Sequence, residues 1–260
     1  NKAEENQQLE NEIILGYVAQ HRIDMPRIGT RKLHFLISEQ VKEHGIKMGR
    51  DRLFDILRDN GMLVKAKKSY TRTTLSNHWR NQYEDLRIDL ITDRSEMLWV
   101  TDITYIRTKE GFEYLSLITD HYSKKIVGWC SFPTLETTGC LKALKMALKQ
   151  CHYPDRKLIH HSDRGAQYCS QLYTKTLIDH DCKISVTQNG SPYENPMAES
   201  MNGILKGELN LDQAFENRKK ARSAVAKAVR VYNTRRPHGS IDYLTPEQAY
   251  HKIGEIPQRW

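Results

Sequence analysis

The chain has 260 residues, 38% of them hydrophobic, and a formal net charge of +8 from 40 Lys and Arg against 32 Asp and Glu. This length supports one large domain or two smaller ones with a real hydrophobic core. No apolar run approaches the roughly 20 residues of a membrane-spanning helix, so we expect no membrane partner.

Neither the start of the chain nor its cysteines indicates secretion. Residues 1–14 are too polar for a signal peptide, and the chain begins with Asn rather than Met, as a fragment or a processed chain does. The five cysteines contain no C-x-x-C pair. This favours neither a disulfide framework nor a zinc site and fits a reducing, cytoplasmic environment.

In chain order, three helices are predicted before residue 65. Residues 1–20 form a helix whose apolar face packs on the body or pairs with a second chain, through Leu9, Ile13, Ile14 and Tyr17. Residues 29–62 form two helices joined by a tight turn, with Arg50 and Arg52 opening the second. This pattern is typical of a helix-turn-helix that reads the DNA major groove, although an ordinary helical hairpin has the same pattern.

From about residue 97 the apolar period changes to that of strands. Three β-type runs are joined by turns at Lys109–Gly111 and His121–Lys124. Helices and strands then alternate, with helices at 136–150, 170–180 and from Pro196, and strands at 156–162 and 183–188. This order predicts an α/β fold with a mixed sheet and helices on both faces.

The basic residues are concentrated in two segments without acids. Residues 61–83 hold five Lys or Arg, and residues 217–241 hold eight. Each suits a phosphate backbone, where neutralised phosphates release counterions, although a solvated basic face explains either segment alone. Together, on both sides of a candidate catalytic region, they favour a nucleic acid.

Three acidic residues lie at positions where a carboxylate is expected to be paired or to bind a ligand. Asp102 interrupts the apolar first strand, where an unpaired charge is costly to bury. Asp163 follows the fourth strand, and strand ends of α/β sheets are where ligands bind. Glu199 lies about one turn into the helix predicted from Pro196, which Asn195 can cap and Pro196 can open. Taken singly, each acid also fits a salt bridge, a loop cap or a dipole-favoured first turn.

If the three acids converge, their oxygens suit Mg²⁺ or Mn²⁺. Two such ions about 4 Å apart clamp the attacking and leaving oxygens of an in-line phosphoryl displacement. Asn202 and Lys206 share a helical stripe with Glu199, and this stripe is too polar to be a core face.

The acids and their surroundings resemble the DDE transposases and retroviral integrases. Asp102 and Asp163 are separated by 60 residues, and Asp163 and Glu199 by 35, as in the D,D-35-E signature. The stretches WVTDITYI, SKKIVGW, HSDRGAQY, NPMAESMNGILKGEL and YNTRRPHGSIDYLTPEQAY resemble the integrase-core transposases of bacterial insertion sequences. GTRKLHFLI and GIKMGRDRLFDILRDNGML resemble the helix-turn-helix of that family, so that the resemblance covers about residues 27–250.

The resemblance implies an RNase H-like mixed sheet flanked by helices, preceded by an all-helical helix-turn-helix region. Asp102, Asp163 and Glu199 would be the catalytic residues and would hold two Mg²⁺ or Mn²⁺ ions. The loop 188–195 would cover the site. The chain lacks the His/Cys spacing of the retroviral N-terminal zinc module, so no zinc is expected. The residues expected to contact DNA are Lys206, Asn202, Gln167, Arg50, Arg52, Lys65, Lys67, Lys68, Arg72 and Arg235.

We therefore expect five regions along the chain. They are an N-terminal helix with an oligomerising role (1–28), a helix-turn-helix domain (29–64), a basic linker (65–94), an RNase H-like integrase core (95–213) and a basic C-terminal helix with its tail (214–260).

The expected activity is metal-dependent strand cleavage at insertion-sequence ends, followed by strand transfer from the freed 3′-hydroxyl. A homodimer or larger assembly would act on terminal repeats and target DNA, in the bacterial cytoplasm at the nucleoid. Two alternatives stay open, an RNase H-type nuclease and a DNA-binding regulator with an inactive core. His161 and Arg164 also match the H-x-x-R pattern of tyrosine recombinases, but at a strand-to-loop junction rather than on a helix.

Overall fold

Three helices precede the sheet in this computed structural model, which describes residues 2–65, 83–152, 157–188 and 196–259. They are α1 (Lys2–Arg22), α2 (Thr30–Glu43) and α3 (Arg50–Asp59). Gly45 and Gly61, both with positive φ, follow α2 and α3, as glycines that end helices do. The two predicted helices and their short connection are confirmed, and the helix-turn-helix role stays a prediction.

The predicted apolar face of α1 packs on the rest of the chain only in its second half, and pairing of its first half with a second chain stays a prediction. Ile14 and Val18 are buried, and Ile13 and Tyr17 pack against the same core. Leu9, in contrast, is 58% exposed, and the whole stretch of residues 2–9 is exposed with it. The buried stripe of α1 therefore covers only its last turns.

The sheet has the strand order β3-β2-β1-β4-β5. Antiparallel pairing joins β1 (Leu98–Thr108) to β2 (Gly111–Asp120) and β2 to β3 (Ile126–Phe132). The short strands β4 (Ile159–Ser162) and β5 (Lys183–Val186) continue the sheet in parallel with β1. Parallel neighbours require a crossover, and α4 (Thr137–Lys149) and α5 (Gln171–Ile178) supply those helices. The predicted α/β fold is confirmed.

The C-terminal part adds α6 (Pro196–Gly207), α7 (Arg218–Arg235), a 3-10 turn at Gly239–Ile241 and α8 (Pro246–Tyr250). One apolar cluster joins α1–α3, α6 and α7 to the sheet through side chains such as Ile106, Leu115 and Tyr232. A second apolar cluster packs α4 and α5 against the sheet and contains Trp99, Ala143, Leu144 and Tyr173.

Close packing of α4 on β3 depends on a missing side chain. A Cβ at Gly128 would lie 2.3 Å from the Ala143 carbonyl oxygen and 2.9 Å from the Ala147 Cβ. Contacts this short cannot form, so the helix approaches as far as it does because residue 128 is glycine. α4 therefore packs directly against β3 and β2 of the sheet.

Several predictions fall outside the described residues. These are DNA contacts by Lys67, Lys68 and Arg72, the cap at Asn195, and nearly all of the loop 188–195. All five cysteines are free thiols. Among the described helices, none is both long and apolar enough to cross a membrane.

Candidate active site

Asp102 and Asp163 are brought together by parallel pairing of β1 and β4. Leu98, Trp99 and Val100 of β1 pair with Ile159, His160 and His161 of β4. Asp102 lies two residues beyond this register on β1 and Asp163 directly follows β4. The Asp163 charge acts on the Asp102 carboxyl and raises its pKa, so the two acids are neighbours. Pairing of these two strands thus brings together two acids that are separated by 60 residues of sequence.

Helix α6 supplies the next group of the site. Its Asn202 side-chain amide donates a 2.6 Å hydrogen bond to Asp102 Oδ2, and the Ile103 backbone N–H donates to Asp102 Oδ1 at 2.8 Å. The Gly165 N–H holds Asp163 Oδ1 at 2.9 Å. Both carboxylates are therefore oriented by neutral donors.

Burial beside like charge makes Asp102 unusual. Burial, reinforced by the neighbouring charges of Asp163 and Glu199, raises the pKa of the Asp102 carboxyl from 3.8 to about 7. The hydrogen bonds from Ile103 and Asn202 oppose this rise without cancelling it. Burial also raises the pKa of Asp163, opposed by the Gly165 N–H. Like charges held together in a partly desolvated place are typical of functional sites.

Glu199 stands apart from this pair. It lies in the first turn of α6, one turn before Asn202, and its side chain is exposed. Its charge acts on the pKa of Asp102, so it belongs to the same neighbourhood. Within the described parts of the chain, however, no three His, Cys, Asp or Glu side chains are arranged to hold a metal ion. Convergence of all three acids stays a prediction.

Lys206 lies one further turn along α6. Its ammonium stands over the Tyr105 ring, 4.7 Å from the centroid. Burial lowers the pKa of Lys206, Asp102 raises it and Arg107 lowers it. The predicted polar stripe of α6 thus follows β1, with Asn202 at Asp102 and Lys206 at Tyr105.

Gln167 belongs to the loop that follows Asp163. Its amide donates to the Leu135 carbonyl at 2.9 Å, and a Cβ on Gly165 would approach Asp163 Oδ1 and Gln167 Oε1 to 2.9 and 3.1 Å. The glycine therefore lets this loop fold tightly beneath the Asp163 carboxylate. DNA contact by Gln167 stays a prediction.

The predicted DNA contacts of the helix-turn-helix differ in their surroundings. Arg50 is 58% exposed beside Asp51. Arg52 instead donates to Glu10 of α1 at 2.7 Å and to the Lys47 carbonyl at 2.8 Å. Lys65 is exposed at the end of this region. Arg50 and Lys65 are accessible to a phosphate, whereas Arg52 must first leave α1.

The basic segment 217–241 is acid-free only along the chain. Six of its eight basic side chains meet acids in space, most of them distant in sequence. The ion pairs are Arg218 and Arg222 with Glu113, Lys220 with Glu216, Lys227 and Arg235 with Asp24, and Arg236 with Glu208. Much of this charge is therefore already paired with acids of the same chain, and DNA contact by Arg235 stays a prediction that requires its release from Asp24.

The H-x-x-R residues are likewise engaged inside the protein. His161 is buried and hydrogen-bonded to Ser185 Oγ at 2.9 Å. Arg164 Nε donates to the Thr187 carbonyl at 2.7 Å. Neither side chain is presented to a phosphate as a tyrosine recombinase would need.

Two residues of this region could not be predicted from the sequence. Tyr105 resembles any outward strand residue, and only its contact with Lys206 links it to the site. Glu208 follows α6 and accepts from Lys32 and Arg236. No local pattern marks either residue, because their partners are distant in the chain.

Known proteins match this chain along most of its length. Two models described as integrase core domain match residues 92–192 and 180–246. The chain is 35% identical over 232 residues to the insertion element IS600 uncharacterized 31 kDa protein of Shigella sonnei, covering 86% of this chain and 83% of that protein. It is 31% identical over 248 residues to the transposase for insertion sequence element IS629 of Shigella sonnei, covering 95% and 80%.

A solved structure shows the same fold at lower identity. It is the cryoEM structure of the simian T-cell lymphotropic virus intasome in complex with PP2A regulatory subunit B56 gamma. The TM-score is 0.51 at 18% identity, over 89% of this chain and 78% of that chain.

The fold and the matched domain define a polynucleotidyl transferase with an RNase H-like integrase core. Within that class, the chain belongs to the transposases of bacterial insertion sequences, and its function is DNA transposition. The resemblance read from the sequence is confirmed.

Proposed function

We propose that this transposase cleaves a DNA strand at the ends of its insertion sequence and joins the freed 3′-hydroxyl to a target phosphodiester, with Asp102, Asp163 and Glu199 as catalytic residues. The observation that carries the proposal is the Asp102–Asp163 pair, half-buried, oriented by neutral donors and held at a raised pKa. Such a pair has unmet demand for positive charge.

The donor set fits Mg²⁺ or Mn²⁺, which prefer carboxylate oxygens. Asp102 and Asp163 would be the inner ligands, and Glu199 would complete the set from its exposed position. Two bound ions would polarise the scissile phosphodiester and stabilise charge on the attacking and leaving oxygens.

The other residues of the site position these carboxylates. Asn202 orients Asp102 through the 2.6 Å bond to Oδ2, and Gly165 orients Asp163. Glu199 is carried on the same helix as Asn202, one turn earlier, and would approach Asp102 from that side. Lys206, one turn further on, would hold a phosphate of the same DNA strand.

Recognition and assembly complete the proposal. α3 would enter the major groove of the terminal repeat, with Arg50 at its exposed start. Because two element ends and a target must be held together, a homodimer or larger assembly on DNA would act. No covalent enzyme–DNA intermediate forms in this scheme, since water and the 3′-hydroxyl are the nucleophiles.

The test compares wild type, Asp163→Asn and the control Asp179→Asn, a surface acid paired with Lys175. Each is incubated with Mg²⁺, insertion-sequence end DNA and a target plasmid. We expect Asp163→Asn to lose cleavage and joining by on the order of 10³-fold, since each 1.4 kcal/mol of lost transition-state stabilisation reduces the rate about tenfold. Its affinity for end DNA should stay within about twofold, and Asp179→Asn should match wild type. Full activity of Asp163→Asn would reject the catalytic assignment.

The same reactions separate the alternatives. Wild type that releases cut strands but forms no joined product is a nuclease. Wild type that binds ends without cutting is a regulator with an inactive core.

A further inference from the structure

Two large aromatic side chains are exposed on the β1–β2 hairpin. Tyr105 is 43% exposed and Phe112 is 46% exposed. Their rings meet edge to face with centroids 5.5 Å apart. The register pairs Arg107 with Phe112 and Tyr105 with Tyr114, so Tyr105 and Phe112 are diagonal neighbours on one sheet face. Both side chains are therefore partly accessible to a ligand at the surface.

Cations border the pair. Lys206 lies over the Tyr105 ring, 4.7 Å from the centroid. Arg107 follows Tyr105 by two residues on the same strand and is held by the Asp212 carbonyl at 2.8 Å. Along the same face, Tyr114 pairs with Phe132, whose ring lies 4.8 Å below the Lys142 ammonium. Aromatic rings interleaved with Lys and Arg are the composition of surfaces that bind single-stranded nucleic acids.

This surface adjoins the candidate active site. Asn202 touches Asp102 and Lys206 touches Tyr105, and these two contacts are four residues apart on α6. Four residues of helix rise about 6 Å. Stacked nucleotides are spaced about 3.4 Å along a strand. On β1, Asp102 and Tyr105 are three residues or about 10 Å apart and alternate between the two sheet faces, and α6 contacts both of them. A strand whose phosphate lies at Asp102 therefore has a base about three nucleotides away that reaches the Tyr105 ring.

From this arrangement we propose that Tyr105 and Phe112 form a stacking platform for an unpaired nucleobase of the DNA strand at the active site. The inference rests on the proposed function, since it takes Asp102 to mark the reacting phosphate. The rings stack on the base, while Lys206 and Arg107 neutralise the adjoining phosphates. The platform holds the strand apart from its complement, so that the end enters the site as a single strand.

The positive charge around the rings favours DNA over a protein partner. A protein contact would bury the exposed aromatic area equally well, but it would leave Lys206 and Arg107 to be matched by acids. A phosphate backbone supplies that negative charge at every nucleotide. The test below makes protein binding one of its outcomes.

The probe is a fluorescein-labelled 12-nucleotide dT strand, with a duplex of the same length for comparison. Binding is followed by anisotropy in EDTA, so the result does not depend on catalysis or on the three acids. The variants are Tyr105→Ala, Phe112→Ala and Phe112→Trp. Phe35→Ala is the matched control, since Phe35 is also 46% exposed and stacks on Tyr243 of the tail.

We expect each hairpin alanine variant to weaken single-strand binding about tenfold, which equals about 1.4 kcal/mol, as loss of one stacked base would. Duplex binding should change less than twofold, and Phe112→Trp and Phe35→Ala should bind like wild type. Equal weakening of single strand and duplex would overturn stacking in favour of general phosphate contact.

A folding defect has its own control. If an alanine variant melts below wild type, Tyr105→Leu and Phe112→Leu retain apolar area without a ring, and the same tenfold loss is expected. Leucine variants that bind the strand like wild type overturn the proposal. So do variants that lose dimerisation in light scattering while keeping single-strand affinity, since the face is then a protein contact.

Discussion

Carboxylates lie at two places beside α6, and the charges that surround them have opposite signs. At one end, Asp102 faces Asp163, and its pKa is raised to about 7. Just beyond the other end, Glu208 accepts from Lys32 at 2.8 Å and from Arg236 at 2.7 and 2.9 Å. Burial raises the pKa of Glu208, but Arg236 and Lys32 outweigh it, so that its pKa is lowered.

This difference shows which acids are neutralised by cationic side chains of the same protein. Glu208 has its cations within the chain, so it stabilises the folded protein and leaves nothing to bind. Asp102 and Asp163 have each other, so folding holds them against repulsion and leaves a place for an external cation. Residue type and burial are similar in the two groups, and the partner decides the role.

Glu208 also joins the two halves of the molecule. Lys32 belongs to α2, and the Arg27 backbone N–H donates to the Glu208 carbonyl at 3.1 Å. Arg27 further pairs with Asp212 at 3.1 Å. The N-terminal helices are therefore anchored at the end of the helix that carries Glu199.

The largest effect on stability is expected at the satisfied group. Glu208→Gln leaves Arg236, whose side chain is only 4% exposed, without its counter-charge. Breaking a buried pair in this way lowers the free energy of unfolding by about 3–5 kcal/mol. Urea unfolding measures it, with Glu216→Gln as control, since the 60% exposed Glu216 pairs with Lys220 at the surface and should cost about 0–1 kcal/mol. Equal effects would show that burial does not distinguish these acids.

The unsatisfied group should respond to a cation. Mg²⁺ at 100 times its Kd raises the free energy of unfolding by about 2.7 kcal/mol if it binds only the folded state. Thermal unfolding at pH 7.5 with and without Mg²⁺ checks this. Asp102→Asn should lose the response, and Glu216→Gln should keep it. Stabilisation that survives Asp102→Asn would place the cation elsewhere.

The smallest effect is a pH dependence of stability without divalent cations. The pKa of Asp102 is about 7 in the folded protein against an ordinary 3.8, so the folded state binds this proton more tightly. The free energy of unfolding therefore falls as pH rises from about 4 to 7. Because the carboxyl is partly solvated, we expect this contribution to be on the order of 1–2 kcal/mol.

Unfolding in EDTA across this range compares wild type with Asp102→Asn. The variant should show a flatter profile and be the more stable protein at pH 7. Glu208 contributes the opposite slope, since its lowered pKa means that its stabilisation is lost only as pH falls below its ordinary 4.5. Superimposable profiles would contradict the raised pKa.

Much of the architecture was predictable because periodicity is a local property. The three strands of the meander, the helices on either side and the positions of Asp102 at a strand and Asp163 after one follow from apolar spacing and turn residues. The exposure of Leu9 was not predictable, since a helical face is buried only where something packs on it. Nor was the engagement of Arg52 by Glu10, because α1 and α3 are not neighbours in the chain.

The sequence by itself determined the α/β order, the D,D-35-E spacing and the likeness to insertion-sequence transposases, because these reside in residue types at fixed separations. Only the tertiary structure decided which charges are neutralised. Coulomb forces act across a few ångströms of space regardless of chain distance. In the folded chain they pair Arg235 with Asp24 and Arg236 with Glu208, and they hold the Lys206 ammonium over the Tyr105 ring. Asp102 and Asp163 receive no such counter-charge from the part of the chain that the structure describes, because the pairing of β1 with β4 holds them beside each other against their repulsion.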